Sequence, residues 1–337
     1  MRQFLILVTL FQLHFLLAQS PITKVYIENV FTDSTLNCRA LEISNGDYFF
    51  ATSDGRVMKS TALGISAELI WPQDQLNSPN FRSLAIVNDN VFALGIGSPA
   101  LLYKNGEIVY REDNVDAFYD SMEFWNEMEG IAMGDMVGGC MSIIITRDGG
   151  ETWAKVPCEK LPDGVEGEGA FAASDTNLKL IGDHAWIATG GMVSRIFHSS
   201  DKGETWEVFE SPVIQGTATT GMYSIDFYDL QTGFAVGGDY TSPEGNQGTK
   251  LKTTDGGQTW NLVANGKDPG YRSCVQFVPE GNAKQIILVG FNGIDVSNDG
   301  GESWKHLSDE DFYTLRFVDS REAYAAGKGR VSRLIFE

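Results

Sequence analysis

The chain has 337 residues, including 37 glycines, 10 prolines and four cysteines, and its 45 acidic against 25 basic side chains give a formal net charge of −20. An acidic surface repels a phosphate backbone, which argues against a nucleic-acid partner and leaves cationic partners, divalent cations or a merely solvated exterior. The length suits one large domain or two ordinary ones, and no sustained helical period of apolar residues is present.

In chain order, the first element is a short charged start, Met1-Arg2-Gln3, followed by an apolar run from Phe4 to Leu17 and a small residue, Ala18. This predicts a secretory signal peptide over residues 1–18, with an uncleaved anchor as the alternative, and hence an exported protein that is periplasmic, cell-surface or secreted. No later segment is long and apolar enough to cross a membrane, and residues 19–337 read as one domain. A β-prone strand follows at 24–28. Then come seven segments with a polar start and alternating apolar positions: 39–43, 82–86, 120–124, 168–171, 223–227, 272–277 and 313–317. Second strands follow each in step, at 48–51, 91–94, 131–133, 185–189, 234–237, 286–289 and 324–326. The last repeat stops after its third strand, 330–336, so strand 24–28 is expected to complete it and hide both edges.

Between third and fourth strands lies an octapeptide, present four times: T-R-D-G-G-E-T-W at 146–153, S-S-D-K-G-E-T-W at 199–206, T-T-D-G-G-Q-T-W at 253–260 and S-N-D-G-G-E-S-W at 297–304. An internal repeat of this kind decides the architecture before any single residue does. Asp148, Asp201, Asp255 and Asp299 read as turn staples that accept backbone N–H bonds. The glycines supply positive φ, and Trp153, Trp206, Trp260 and Trp304 cover the turns. The first repeat keeps only a decayed copy at 60–66, and the second has a tight Lys104-Asn105-Gly106-Glu107 hairpin.

The octapeptide resembles the Asp-box, or BNR repeat, of sialidases, other glycoside hydrolases, sortilin-type receptors and photosystem II assembly-factor propellers. The order of phrases such as Phe81-Arg82-Ser83-Leu84, Gly169-Ala170-Phe171-Ala172-Ala173-Ser174 and Gly237-Gly238-Asp239-Tyr240 is similar to that of exported bacterial propellers of the photosystem II assembly and stability factor type. Some of those relatives carry an oxidoreductase label. The resemblance implies an all-β propeller. With seven inner-strand starts, the expectation is a seven-bladed β-propeller of four-stranded antiparallel blades, the last blade closed by the N-terminal strand.

In such a ring the inner-strand starts converge on one mouth of the central channel. The expected ring is Arg39, Arg82, Asp120, Glu168, Tyr223, Arg272 and Tyr313, with Asp135, Arg195, Asp239 and Tyr240 on the rim. Three readings stand. The charges line a wet channel; or they recognise a protein segment or a small anionic or carbohydrate ligand, arginines gripping a carboxylate in bidentate fashion; or Asp120, Glu168 and Tyr223 serve a glycoside hydrolase. The Arg-Ile-Pro phrase of sialidases is absent, since Arg39 precedes Ala40-Leu41 and Arg82 precedes Ser83-Leu84. The preferred reading is a non-catalytic, monomeric scaffold or assembly factor. Gly95-x-Gly97-x-x-Ala100 imitates a dinucleotide fingerprint, but strand and hairpin residues follow it where a helix is required. The long polar loop 239–250 reads as a surface excursion or a binding loop, and Trp71, Trp125 and Trp186 as packing residues.

Cys140 and Cys158 lie almost symmetrically about Gly149-Gly150 and are expected to be bridged. Cys38 and Cys274 are expected to be free, small and buried. His184, His198 and His306 are scattered and no C-x-x-C occurs, so no zinc site is expected. No cofactor motif remains, and nothing in the sequence specifically supports Ca²⁺ in the acidic loops.

Overall fold

The computed structural model describes residues 20–61, 68–71 and 79–337. The expected signal peptide and most of the decayed octapeptide at 60–66 lie outside the described residues. Among the described residues the chain is all-β, apart from one helical turn at Cys158–Lys160. No helix among them is long and apolar enough to cross a membrane.

The strands form six antiparallel sheets. Four have four strands each and begin at Phe81–Val87, Tyr119–Phe124, Leu178–Ile181 and Cys274–Phe277. A six-stranded sheet holds Thr220–Phe227 and its three successors, extended by the two-residue strands Glu168–Gly169 and Gly190–Gly191. A seven-stranded sheet joins the two ends of the chain through one long strand, Val25–Ser44. The first half of that strand pairs with Lys328–Phe336, Val25 opposite Phe336, and its second half pairs with Asp47–Thr52. The bridge predicted between Cys140 and Cys158 is present, and Cys38 and Cys274 are free and buried.

Apolar side chains alternate to both faces of these strands, so each sheet packs against the next. Ala40, Phe49 and Val57 of the first repeat meet Phe81, Leu84 and Leu101 of the second. Similar clusters join each following pair of repeats, and Tyr48 of the first stacks on Tyr324 of the last at 4.5 Å between centroids.

The four octapeptide turns share one scheme of hydrogen bonds around their aspartates; in three of them the Trp Nε1 adds a bond to a glycine carbonyl, while Trp153 Nε1 has no partner among the described residues. In the copy at 253–260, Thr253 Oγ1 donates to Asp255 Oδ1 at 2.7 Å and accepts from Gly257 N at 3.0 Å. Thr259 donates its N–H to Oδ1 and its hydroxyl to Oδ2 of Asp255, at 3.0 and 2.6 Å. Trp260 Nε1 donates to Gly257 O at 2.9 Å. Both carboxylate oxygens are consumed by the turn, and this hydrogen bonding holds Asp255 below the usual carboxylate range against the opposing pull of burial.

The fourth repeat departs from expectation. Residues 168–171 are not its inner strand: that place is taken by Leu178–Ile181, paired with His184–Ala188. The Leu-Lys-Leu alternation fits a strand, whereas Phe171-Ala172-Ala173-Ser174-Asp175-Thr176-Asn177 offers small and hydrogen-bonding side chains that suit irregular backbone. Asp175 adopts φ +59°, which a strand does not allow. This segment lies centrally and bonds to residues in or beside six strands of other repeats. Arg39 Nη1 and Arg82 Nη1 donate to Ala173 O and Ala172 O at 2.9 and 2.8 Å. Ser121 Oγ contacts Asn177 Oδ1, and Ile225 N donates to Thr176 O at 2.8 Å. Ser174 Oγ donates to Ser273 O at 2.6 Å, and Thr314 Oγ1 to Ser174 O at 2.7 Å. The axial segment divides the channel into two chambers.

Candidate functional site

Four expected ring residues share one backbone device. The ladder skips Arg39 between the pairs Cys38–Thr52 and Ala40–Ala51, and Arg82 between Phe81–Gly95 and Ser83–Leu94. It likewise skips Asp120 and Tyr223. Each is the extra residue of a β-bulge, which re-aims one side chain without disturbing the alternation on either side. Glycine opposes two of these bulges for want of space: a Cβ at Gly134 would collide with Phe118 O, and one at Gly237 with Gly221 O.

Above the axial segment is a cavity of about 880 Å³. Its walls include Arg39, Arg82, Asp135, Glu168, Tyr223 and Tyr240, and its floor is Phe171 to Ala173. One side is aromatic. Phe171 stacks on Tyr223 at 3.9 Å, Tyr271 meets Tyr223 edge-on at 4.8 Å, and Phe291 follows Tyr271 at 5.2 Å. Tyr313 lies behind, with the Arg39 guanidinium 3.8 Å above its ring. Tyr271 and Phe291 were not among the expected residues. Tyr271 immediately precedes Arg272 in the phrase Gly270-Tyr271-Arg272-Ser273, and its place at the mouth follows from a one-residue shift in register.

The charged residues divide sharply. Glu168 is buried and locked: Arg195 Nε and Thr189 Oγ1 donate to Oε1 at 3.1 and 2.7 Å, and Arg195 Nη2 grips Oε2. Arg272 does not face this cavity; it is paired with Asp295 through Nε at 2.8 Å and lines a separate space beside His306. Asp120 is fully buried, neither oxygen has a hydrogen-bond partner among the described residues, and it is not on the cavity wall. Burial, reinforced by nearby Asp135 and opposed by Arg82, pushes its carboxyl well above the usual range. Burial also raises Asp135, whose Oδ1 accepts from Ala170 N at 2.7 Å. Asp239 accepts from the N–H and hydroxyl of Thr241 at 2.9 and 2.7 Å, which holds it low.

Arg39 and Arg82 remain. Neither has a carboxylate within 4 Å among the described residues. Arg82 Nε donates to Asn80 Oδ1 at 3.0 Å, and Arg39 Nε has no partner among the described residues. Burial depresses both, and the proximity of Arg39 helps bring Arg82 down to about 10. Both are still cations at neutral pH. The site is therefore a half-buried positive pair beside an aromatic wall, suited to an anion carrying an apolar or planar group.

Tyr223 OH donates to Thr219 O at 2.8 Å, and burial raises its pKa. No group of three or more His, Cys, Asp or Glu among the described residues is placed to hold a metal ion.

No family model and no curated protein sequence matches the chain. Solved structures do. A structure described as YCF48 bound to D1 peptide aligns with a TM-score of 0.65 at 12% identity, covering 93% of this chain and 97% of that one. YCF48 from Cyanidioschyzon merolae gives 0.62 at 12% identity, over 92% and 98%. The RRP9 WD40 repeats give 0.61 at 10% identity, over 94% and 100%. At such identities the likeness speaks for architecture alone, and that architecture is a β-propeller.

Proposed function

We propose that this chain is an exported, non-catalytic seven-bladed propeller that holds an anionic segment of a protein partner at the Arg39–Arg82 mouth, acting as a scaffold or assembly factor. The observation that carries the reading is the pair of half-buried guanidiniums without carboxylate partners, set against the wall of Tyr223, Tyr271 and Phe291. A carboxylate entering there replaces water around two cations and needs no rearrangement of the floor. The likeness to a propeller solved with a peptide lends support. The apolar start of the sequence and the Cys140–Cys158 bridge favour an oxidising compartment.

Seven blades follow if the long strand Val25–Ser44 is counted in two blades, its first half completing the last and its second half opening the first. The packing of Tyr48 and Phe50 against Tyr324 and Val331 supports closure of that ring.

Hydrolysis is disfavoured by the fate of its three candidates. Glu168 is consumed by Arg195, Asp120 is not on the cavity wall, and the Tyr223 hydroxyl is spent on a backbone carbonyl, Thr219 O. The test is binding to an array of peptides with free and amidated C-termini and with acidic or neutral side chains. Captured acidic or free-carboxylate peptides should be lost in the Arg39→Ala plus Arg82→Ala variant. Turnover of a fluorogenic glycoside or sialoside that vanishes in Glu168→Gln would overturn the scaffold reading.

A further inference from the structure

Large apolar side chains exposed singly are ordinary, whereas several around one opening mark a contact surface. Val115, Val165, Met192, Ile214 and Tyr240 are exposed, and all five stand in loops at the Arg39–Arg82 mouth. Val165 and Tyr240 line the cavity itself, and Val115 and Met192 each adjoin a residue that does, Asp116 and Gly191. Backbone bonds join their loops into an arc. Met192 N donates to Gly167 O at 2.9 Å, Gly216 N to Gly191 O at 3.0 Å and Ile214 N to Gly248 O at 2.8 Å. The Met192 side chain lies over Gly167, where a Cβ would come within 2.5 Å of its Cγ. At the other end of the arc, Tyr240 meets Tyr223 of the aromatic wall edge-on at 6.4 Å.

The charges beside the arc select its occupant. It borders two guanidiniums that have no carboxylate within 4 Å among the described residues, so the occupant brings an anion. The same loops carry exposed Asp163, Glu166 and Glu244, and the chain as a whole has a net charge of −20. That field repels an anionic lipid surface. A second copy in two-fold symmetric contact would set guanidinium against guanidinium. An extended polypeptide meets both demands. Its side chains two residues before and after a given position share that position's face. A carboxylate then sits between the arginines while its apolar neighbours lie on the rim.

We propose that the mouth takes an extended polypeptide in which an acidic residue is flanked by large aliphatic or aromatic ones, the acid at Arg39 and Arg82 and the apolar side chains on Met192, Ile214 and Tyr240. The inference rests on the mouth being a docking site for an anionic segment, and adds what that segment carries on either side of its anion.

The test is fluorescence titration of the purified chain with labelled, end-capped nonapeptides that contain one glutamate. One has leucine and phenylalanine two residues to either side of it; the other has serine at both places. The apolar peptide should bind about tenfold or more tightly than the serine peptide. Met192→Ser plus Ile214→Ser should erase that difference and, both side chains being exposed, keep the parent melting temperature. Met128→Ser plus Leu230→Ser should change nothing, since these exposed residues lie in turns at the far ends of two inner strands, Tyr119–Phe124 and Thr220–Phe227. Binding lost in Arg39→Ala plus Arg82→Ala but untouched in the rim variant overturns the inference and keeps the mouth. Binding of neither peptide at millimolar concentration, or binding indifferent to the arginine variant, overturns the mouth as an anion dock and the inference with it. Sedimentation with phosphatidylcholine vesicles, or a dimer in analytical ultracentrifugation, that the rim variant removes assigns the rim to a lipid surface or a second copy and also overturns the inference.

Discussion

Arg39 and Glu168 illustrate two fates of a charge near the channel. Glu168 and Arg195 satisfy each other inside the protein, with side chains 0% and 9% exposed. Removing one leaves the other buried and unpaired, which costs about 3–5 kcal/mol. Chemical denaturation should therefore find Glu168→Ala strongly destabilised and Arg39→Ala much less so, because Arg39 loses only a carbonyl bond and its place over Tyr313. Glu123 gives a pH signature of its own. Its folded pKa of about 7 lies above the ordinary 4.5, so the folded chain holds this proton more tightly than the unfolded one. Its contribution to stability is complete below pH 4.5 and is lost as pH rises toward and through 7. Melting temperatures of the parent minus those of Glu123→Gln should fall across that window. The octapeptide aspartates act oppositely and lower: Asp148, held low by hydrogen bonds from Thr152, contributes above its ordinary pKa of 3.8 and is lost in stronger acid.

The bulged inner strand and the octapeptide turn are the two elements that make the site possible. Gly237 opposes the Tyr223 bulge with no room for a Cβ, so Gly237→Ala should cost about 3 kcal/mol or more and disturb the Tyr223 aromatic wall. Denaturant midpoints and near-ultraviolet circular dichroism would register both effects. Asp255→Ala removes the acceptor for Thr253 and Thr259 and should cost about 1–2 kcal/mol without altering the mouth. The turns were legible in sequence because their chemistry is local: Asp, Gly and a hydroxyl four residues on fix one another. Most strands were legible through alternation, as at Tyr223-Ser224-Ile225-Asp226-Phe227. The bulges were not, because an extra residue opposite Gly95 or Gly237 is set by pairing with a remote strand. Nor was the axial segment: Glu168-Gly169-Ala170-Phe171 reads as a strand start until the partners of the residues that follow it, spread over the other repeats, are known. The far chamber left a trace that could have been followed, a polar residue before an aromatic or aliphatic one in Glu42-Ile43, Glu123-Phe124, Asp226-Phe227, Gln276-Phe277 and Arg316-Phe317.

For the molecule as a whole, the pairing of an early strand with the last one is expected to govern stability. Val25–Thr32 lies against the last nine-residue strand, Lys328–Phe336. Deleting residues 20–32 should lower the melting temperature, expose amides of Lys328–Phe336 to hydrogen exchange and promote self-association through the bared edge. The axial segment ties the inner strands together from within, so the parent chain should unfold in one transition rather than repeat by repeat.

That arrangement also sets a timetable for biosynthesis. The partner of Val25–Thr32 lies about 300 residues further along the chain, so the two cannot meet until that stretch has been made. Until then Val25–Thr32 presents an unpaired strand edge, open to any other chain with a free ladder of its own.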